Sequence, residues 1–274
     1  MVTINGFKDL NTIEAELKFL AKSEIRLRIL NSLQEKPMTI REIVDYTSLT
    51  YSSISSNIGK LDKRDFIYKK NGKYHTNSIC NVYLKNILEF NKLIKLITNF
   101  NKFWNNHTIT EIDSISLMDI TSLNNSKIIE STSIDIYKPH NHMKKLIKNS
   151  NKLKVIFPYL HPDYPEIIEE LLKNGAKIEI IIPKNIEKHL FDNINKNLIK
   201  EAIKNKKLKI KSINKNLNLS LTINDKNMSL GLFKVDGTYD QNRLLSSKDP
   251  IAIDWALDLF EHINNNPLIC GEIL

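Results

Sequence analysis

Apolar side chains recur at helical spacing near the start of the chain, and they predict a pair of short helices. Ile54, Ile58 and Leu61 fall at i, i+4 and i+7, so a helix that begins near them buries these three side chains on one face. Thr39 and Thr50 can each accept a hydrogen bond from the free amides of a first helical turn. Two helices separated by so few residues predict a helix-turn-helix.

Two earlier helices are predicted to pack behind this pair. The apolar spacing indicates one helix over residues 9–22 and another over residues 23–35. Ser23 is suited to cap the second of them, and Pro37 ends it because proline has no amide hydrogen to donate. Both helices are expected to support the helix-turn-helix.

The outward face of the second helix of the motif carries small polar groups, one aromatic ring and one amine. Hydroxyls and amines donate to phosphate oxygens, and a side chain as short as serine reaches base edges without filling the major groove. We predict DNA contacts from this face and its cap, at Thr50, Tyr51, Ser52, Ser53, Ser55, Ser56 and Lys60. Asn57 is expected to be exposed beside them.

Two short strands after the helix-turn-helix predict a hairpin. Residues 66–68 and 74–76 read as strands, and Asn71-Gly72 between them tolerates the positive φ of a tight turn. Three lysines crowd the turn and can contact DNA phosphates, at Lys69, Lys70 and Lys73. A helix-turn-helix with a basic hairpin is a winged helix, which we interpret as a module for double-stranded DNA. A winged helix that binds protein is the alternative.

A long helical pattern follows the wing, over residues 78–104. Its apolar residues approximate alternating spacings of three and four, as in helices that pair with each other, at Tyr83, Ile87, Phe90, Ile94, Ile97 and Trp104. One small winged helix cannot bury so long a stripe, so a homodimer is expected, with its recognition helices about 34 Å apart. The equal alternative is that this helix packs on the second domain of its own chain.

Beyond residue 127 strands alternate with helices, which predicts an α/β layer structure. Strands are expected over 127–137, 152–157, 177–182, 208–211, 217–223 and 228–233. Helices are expected over 139–149, 165–173, 186–204 and 251–262. The predicted fold class is α+β or α/β, with a winged helix-turn-helix, a long linker helix and a C-terminal α/β sandwich whose sheet is mostly parallel with an antiparallel edge. Its parts are a DNA-binding domain at 1–77, a linker or dimerisation helix at 78–106, a linker at 107–126 and an effector domain at 127–266.

Polar residues cluster after two of the predicted strands. Ligands of open α/β sheets bind beyond the carboxyl ends of the strands, and the segments after residues 157 and 233 are rich in Tyr, His and Asp. We predict a small-molecule effector with an apolar body and a few hydrogen-bonding groups, held by Tyr159, His161, Tyr164, Asp236, Tyr239 and Asp240. The alternative is that these segments are ordinary turns whose tyrosines lie at the edge of the core.

A phospholipase D-like phosphodiesterase or nuclease is the rival function. His142, Lys144 and Asn149 nearly fit the H-x-K-x4-D pattern, in which a histidine attacks phosphorus and a lysine neutralises charge, but Asn149 replaces the aspartate. The match lies within a predicted helix, so no catalytic residue is assigned and the chain is not expected to be an enzyme. His140 and His142 would point in different directions on that helix, and neither a metal nor another cofactor is predicted.

Composition bears on the partner and the compartment. The formal net charge of +9 and the pI of about 9.3 suit a polyanionic partner, although Lys and Asn are frequent in every segment. Cys80 and Cys270 are far apart, so neither a disulfide framework nor a zinc site is expected. No segment resembles a secretion signal or a bilayer-spanning run, which predicts a cytoplasmic protein without membrane contact.

Four blocks in the second half resemble a known family: IFPYLHPDYP at 156–165, LGLFKVDGTYD at 230–240, LSS at 245–247 and AIDW at 252–255. With the winged helix, they make the chain similar to archaeal regulators that carry the methanogenesis regulatory protein middle domain. The resemblance implies a methanogen transcription regulator with a winged helix of the arsenical-regulator type. It also implies an effector domain similar to catalytically silent phospholipase D folds. No metal-binding cysteine motif lies beside the recognition helix, which argues against metal sensing of the arsenical kind.

Overall fold

The structure is a computed structural model that describes residues 15–266 and the backbone of residues 271–273. The chain divides into two compact units, unit 1 at Met1–Lys92 and unit 2 at Leu93–Leu274. The part of the first predicted helix over residues 9–14 lies outside the described residues. Among the helices described, none is long and apolar enough to cross a bilayer.

From residue 15 onward, unit 1 contains four short helices before the wing, α1 Ala15–Ala21, α2 Glu24–Glu35, α3 Ile40–Thr47 and α4 Tyr51–Asp62. The predicted caps are confirmed, because the hydroxyls of Ser23, Thr39 and Thr50 each accept a hydrogen bond from the amide three residues further on. Ser48 adopts a left-handed φ of 55° between α3 and α4, which ends the first helix and turns the chain. The helix-turn-helix predicted from the sequence is therefore present.

The buried face of α4 matches its predicted stripe. Ile54, Ile58 and Leu61 are buried in the core that α4 shares with α2 and α3. Asn57 is buried as well, whereas the sequence predicted that it would be exposed. Its amide nitrogen donates to the Ser53 carbonyl one turn earlier, at 2.9 Å, so the side chain lies along the helix at the border of the apolar face.

The predicted wing is also present, as β1 Ile67–Lys70 paired antiparallel with β2 Lys73–Thr76. Asn71 and Gly72 take φ values of 51° and 78°, and a two-residue hairpin turn of this kind requires both to be positive. Met38, which precedes α3, forms an antiparallel bridge with β2. The wing is thereby attached to the start of the helix-turn-helix.

The long helix after the wing is shorter than predicted. It is α5 Ser78–Asn99, followed after Phe100 by a separate α6 Asn101–Asn106. Phe100 breaks the helix with φ −114° and ψ 31°, at the point where Asn101 interrupts the apolar series. The break lets Trp104 enter the core of unit 2, where the predicted single helix would have continued straight.

Unit 2 is built on one large sheet. Its strands are β3 Lys127–Glu130, β4 Lys152–Ile156, β5 Lys177–Pro183, β6 Leu208–Ile213, β7 Leu219–Asn224, β8 Asn227–Leu232, β9 Arg243–Ser247 and β10 Gly271–Ile273. Among the described residues they lie in the order β10-β6-β5-β4-β7-β8-β9-β3.

The sheet is mixed, so the mostly parallel sheet predicted from the sequence is wrong. Parallel pairing joins β4 to β5 and β5 to β6, and the neighbours on either side pair antiparallel. The physical reason is the length of the connections. β7 and β8 are joined by two residues, a length that can link only antiparallel strands.

Helices cover both faces of this sheet: α7 Ser114–Met118, α8 Lys138–Lys148, α9 Tyr164–Lys173, α10 Lys184–Phe191, α11 Lys196–Lys204 and α12 Pro250–Asn265. On one face α12 and α6 pack against alternate side chains of β7, at Leu219, Leu221 and Ile223. On the other face α9 and α10 pack against β4 and β5, at residues such as Val155 and Ile180. Alternation along the strands therefore supplies two separate cores.

Other predicted elements of unit 2 differ in extent. The single helix predicted over 186–204 is divided into α10 and α11, and Asn195 caps the second. The strand predicted over 127–137 ends at Glu130. The segment at 107–126 holds α7 and a 3-10 turn at Ile120–Leu123. The sequence did not predict β9 and β10, because such short segments show no clear alternation.

Candidate functional site

The first candidate surface is the outward side of α4. With about 100° between successive helical residues, one line of small exposed residues runs along the helix opposite its buried stripe, at Ser52, Ser55, Ser56 and Gly59. We call these four residues the recognition ridge. Tyr51, which is 57% exposed, and Lys60 flank it on either side. The ridge carries no bulky or charged side chain and can approach another surface closely.

Two of the predicted contact residues also serve the helix itself. The Thr50 hydroxyl accepts from the Ser53 amide at 3.4 Å and lies 3.4 Å from the Ser52 hydroxyl. Ser53 is only partly exposed, and its carbonyl accepts the hydrogen bond from Asn57. Thr50 and Ser53 therefore help to form the start of α4 behind the recognition ridge.

Glu42 connects the helix-turn-helix to the wing. One carboxylate oxygen, Oε2, accepts from the Thr39 amide at 2.6 Å and completes the capping box of α3. The other, Oε1, accepts from Nζ of Lys73 on β2 at 3.0 Å. The hydrogen bond from the Thr39 backbone and then the contact with Lys73 lower the pKa of Glu42 to about 2. The carboxylate is therefore ionised at any pH near neutrality.

The three predicted wing lysines are not equivalent. Lys69 and Lys70 are exposed on β1, and the Lys69 ammonium lies 5.5 Å from the centre of the Tyr74 ring. Lys73 is half-buried by its ion pair with Glu42. The exposed charge at the wing therefore comes mainly from Lys69 and Lys70.

The second candidate site is a cleft in unit 2 where two loops meet. β8 runs in the same direction as β4, because each pairs antiparallel with β7 between them. The loops that follow these two strands consequently leave the same edge of the sheet. They enclose a cleft of about 420 Å³ whose lining includes Tyr159, His161, Tyr239 and Asp240.

Tyrosines form the inner wall of this cleft. The rings of Tyr159 and Tyr239 have centroids 4.5 Å apart, and Tyr164 is buried beside them, stacked on Phe157 at 4.6 Å. Burial, followed by interaction with Tyr159, raises the pKa of Tyr164 and of Tyr239 well above the usual range. Both hydroxyls therefore remain protonated. Tyr164, which was predicted as a ligand residue, lies in the core behind the cleft and is not among its lining residues.

Gly231 on β8 makes room for Tyr239. A Cβ atom at this position would lie 2.2 Å from the Tyr239 hydroxyl, so no other residue fits without moving the ring. The Tyr239 ring can therefore lie over β8 and reach the wall of the cleft.

Asp240 lines the cleft but is held by the protein. It is buried, and its Oδ2 lies 3.0 Å from Nε2 of His107, which is also buried. Its Oδ1 accepts from the Asn242 amide at 3.0 Å. Sequence reasoning missed His107, because nothing in the chain around it indicates a partner 133 positions away. Asp240 therefore fixes the loop, and it adds little capacity for binding a ligand.

Asp236 lies away from the other predicted ligand residues. It is exposed and lines a separate depression, where its Oδ1 accepts from the amide and hydroxyl of Thr238 in a turn. These contacts with Thr238 lower its pKa. Asp236 is therefore not among the residues that line the cleft, and its contact with a ligand stays a prediction.

A group of ionisable residues at the edge of the cleft was only partly predicted. His140, from α8, stacks on His161 with ring centroids 3.7 Å apart. Asp163 lies 3.6 Å from Nε2 of His140 and accepts from Nζ of Lys144 at 2.6 Å. The hydrogen bond from Lys144 lowers the pKa of Asp163, while burial and then the neighbouring His140 lower the pKa of His161. We call these four residues the histidine cluster.

The phospholipase D-like trio does not converge. Nε2 of His142 donates to the hydroxyl of Ser246 at 2.9 Å, since that hydroxyl itself donates to the Met228 carbonyl. Lys144 is paired with Asp163, and Asn149 caps the end of α8. Burial lowers the pKa of His142. The three residues therefore have separate structural partners and do not enclose a common phosphate site.

Comparison with known protein families matches two segments of the chain. Residues 23–69 match the family described as bacterial regulatory protein, arsR family. Residues 136–266 match the family described as methanogenesis regulatory protein FilR1, middle domain. The first segment contains α2, α3, α4 and part of the wing, and the second contains the cleft and the histidine cluster.

Whole-chain comparisons find relatives of low identity. The methanogenesis regulatory protein FilR1 of Methanothrix harundinacea (strain 6Ac) is 21% identical over 249 residues, which cover 90% of this chain and 56% of the relative. The chain thus spans about half the length of that relative. Among solved structures, the archaeal chromatin protein TrmBL2 is 15% identical with a TM-score of 0.41, over 93% of this chain and 98% of that chain. The phosphatidylserine synthase of Haemophilus influenzae Rd KW20 is 15% identical with a TM-score of 0.37, over 54% and 39%.

These matches coincide with the two units described above. The chain therefore carries an arsR-type regulatory helix-turn-helix followed by a FilR1 middle domain, and it is a homologue of a methanogenesis regulatory protein.

Proposed function

We propose that the protein is a sequence-specific, DNA-binding transcriptional regulator that acts as a homodimer and responds to a small molecule bound in unit 2. The observation that carries the proposal is the recognition ridge, an exposed line of small polar residues on the second helix of an arsR-type helix-turn-helix. The basic wing beside it supplies charge for the DNA backbone. A regulator of this kind would act in the cytoplasm, where the chromosome is.

The ridge and the wing would contribute different parts of the binding free energy. The serines of the ridge are uncharged, so their value lies in hydrogen bonds to base edges. Lys69 and Lys70 are exposed cations, whose contacts with phosphates depend on salt and not on sequence. Substitutions in the two elements should therefore have separable effects.

Replacing a ridge serine should weaken discrimination between operator and unrelated DNA. For Ser52→Ala, Ser55→Ala and Ser56→Ala, each lost base contact should cost about 1–3 kcal/mol of discrimination, with the salt slope unchanged. Footprinting upstream of the protein's own coding region would first locate an operator, and binding titrations would then compare it with an unrelated duplex. Ser78→Ala, an exposed serine at the start of α5, is the control. Unchanged discrimination in all three ridge variants would remove α4 from base recognition.

Replacing an exposed wing lysine should change the salt dependence. Lys69→Ala and Lys70→Ala should each flatten the slope of log affinity against log salt by about 1, because each releases one counterion fewer. Lys73→Ala should flatten it less, since Glu42 already pairs with that ammonium. Binding is measured on one duplex over a range of salt concentrations, with the exposed Lys204→Ala in unit 2 as the control. An unaltered slope in the Lys69/Lys70 double variant would exclude the wing from the DNA contact.

An exposed apolar stripe on α5 supports the proposed homodimer. Ile79, Val82, Tyr83 and Phe90 are between 43% and 63% exposed, although they are apolar or aromatic. Helical geometry places them within one narrow band of the α5 surface. Buried residues of the same helix, such as Leu84, face the core of unit 1 instead. A second copy of α5 would bury this band by the self-complementary contact of a two-fold dimer.

A charge placed in the stripe should separate the dimer. Val82→Glu and Phe90→Glu would each put a carboxylate into an apolar contact, where its loss of hydration is not compensated. Sedimentation equilibrium should show half the molecular mass of the unaltered protein, and the footprint on the operator should shorten to one half-site. Lys85→Glu, exposed on another side of α5, is the matched control. If Val82→Glu and Phe90→Glu keep the molecular mass of the unaltered protein, as Lys85→Glu should, this stripe is not the dimer contact.

The cleft in unit 2 supports control by a small molecule. Its tyrosine wall offers flat apolar contact, while His140 and His161 at its edge offer hydrogen bonds. Because residues of α5 belong to both cores, the helix is a route by which a bound ligand could affect unit 1. We expect the α5 helices of a dimer to have two relative arrangements. The ligand would change DNA binding only if its affinity differs between these two arrangements.

A cleft ligand should be sensitive to the tyrosine wall. Compounds that raise the unfolding temperature of the unaltered protein should lose this effect in Tyr159→Ala, because stabilisation follows the affinity for the folded state. His189→Ala, an exposed histidine on α10, should keep it. The measurement is a thermal-shift screen of sugars, aromatic acids and peptides, repeated as a DNA titration for each compound that binds. Compounds that stabilise Tyr159→Ala as well as the unaltered protein would place the effector site elsewhere.

His142, Lys144 and Asn149 each have a separate structural partner, which favours a non-enzymatic role over phosphodiesterase activity. The homologue of the chain is a regulatory protein, which supports the same view. Hydrolysis of a nucleic acid or phosphodiester that His142→Ala abolishes would favour the enzyme instead. A failure to retard promoter DNA at low salt would favour a winged helix that binds protein.

A further inference from the structure

The histidine cluster brings together side chains of the kind that bind transition metals. His140 comes from α8, whereas His161 and Asp163 come from the loop between β4 and α9. One ligand atom from each of the three lies within 4.8 Å of the others. Two imidazole nitrogens and one carboxylate oxygen are a donor set that suits Zn²⁺, Co²⁺ and Ni²⁺.

We propose that His140, His161 and Asp163 form a binding site for one divalent transition-metal ion at the edge of the cleft. The closest approaches to the carboxylate are 3.6 Å from Nε2 of His140 and 3.9 Å from Nδ1 of His161. Metal–ligand bonds of about 2.0–2.2 Å put two ligand atoms roughly 3–3.6 Å apart on a shared ion. The two imidazole rings are stacked with an angle of 26° between their planes, so one ring would have to tilt until both in-plane lone pairs point at the same ion. All three side chains are only partly buried, which leaves room for that rotation.

His161 already presents an unprotonated nitrogen. Its Nδ1 accepts a hydrogen bond from the Asp163 amide at 3.2 Å, so this atom carries a lone pair and not a hydrogen. A metal ion needs such a lone pair on each imidazole ligand. A metal–nitrogen bond at Nδ1 would replace this hydrogen bond.

Lys144 occupies the position of the cation in the metal-free cluster. Its Nζ lies 2.6 Å from Oδ2 of Asp163 and neutralises the carboxylate. An ion bound by both histidines would have to share Asp163 with this ammonium or displace it. Lys144 is thus a competitor of the metal and not one of its ligands, since an ammonium has no lone pair.

The site would be open toward the contents of the cleft. His140 and His161 are among the cleft-lining residues. Three protein ligands leave a fourth position on a tetrahedral ion, which is typical of sites whose metal contacts water or another molecule. A donor atom of a molecule in the cleft could take that position.

The test is a metal titration of the full-length chain without a histidine tag, after treatment with EDTA and dialysis. Co²⁺ is added and followed by its visible absorption, and Zn²⁺ is then added in competition. We expect one ion per chain. His140→Ala, His161→Ala and Asp163→Ala should each weaken binding by roughly 100-fold or more, because the loss of an outer contact alone costs about 10- to 100-fold. Lys144→Met should strengthen it about two- to fivefold, as expected when a half-exposed ion pair no longer competes.

Matched controls separate this site from incidental binding at the surface. His189→Ala and Lys145→Met alter exposed residues outside the cluster and should leave affinity and spectrum unchanged. Circular dichroism of every variant confirms that it is folded. Equal Co²⁺ binding in the three ligand variants and in His189→Ala would overturn the proposal, as would the absence of one-to-one binding by the folded protein. Weaker binding in Lys144→Met would overturn the role given to Lys144. The metal site does not depend on DNA binding, so promoter retardation with the same samples reports on the regulator separately.

Discussion

The position of the wing in unit 1 depends on contacts that join it to the start of α3, and the Glu42 carboxylate makes two of them. One oxygen of Glu42 accepts a hydrogen bond from the Thr39 amide at the start of α3, and the other accepts one from Nζ of Lys73 in the wing. Backbone hydrogen bonds between Met38 and Tyr74, at 3.2 and 2.8 Å, join the same two segments. Since α3 packs on α4, these contacts hold the wing at a defined position relative to the recognition ridge. The low pKa of Glu42 keeps the carboxylate available to both partners near neutral pH.

The ion pair with Glu42 reduces the positive charge that the wing exposes, because Lys73 is half-buried by it. The hairpin gains a fixed position and gives up part of one exposed charge. Lys69 and Lys70 on the preceding strand retain theirs. A wing held in this way can place its charge against a DNA backbone without first losing conformational freedom, and ordering a mobile loop would otherwise reduce the affinity.

The sequence predicted local structure well and long-range pairing poorly. Caps and turns were predictable because Thr39, Thr50 and Asn71-Gly72 act within three or four residues of themselves. The mixed sheet was not, because the pattern of β7 does not reveal that it lies between β4 and β8. The helix break at Phe100 lies beside Asn101, where the apolar series is interrupted, but one polar residue in such a series does not by itself predict that a helix ends.

The ligand residues were predicted from their positions after the carboxyl ends of two strands, and the two loops of the cleft agree with this prediction only in part. Tyr159 and Tyr239 come together as predicted although the sheet is mixed, because β7 is antiparallel to both β4 and β8 and these two strands therefore run in the same direction. Asp236 belongs to the same loop but lines a neighbouring depression, which the position of a strand end does not reveal.

The cleft lies where the parallel half of the sheet meets the antiparallel half. β4 pairs parallel with β5 on one side and antiparallel with β7 on the other. The two halves of the sheet therefore need different kinds of connection between their strands. On the parallel side the chain must cross back through a helix, and α9 starts directly after the loop that carries His161. On the antiparallel side no helical crossover is needed, and the loop after the carboxyl end of β8 leaves the same edge of the sheet. A gap between a helical crossover and a hairpin loop remains at this position, which is where open α/β sheets bind ligands. Gly231 lets Tyr239 close one wall of that gap, and α8 brings His140 to the other.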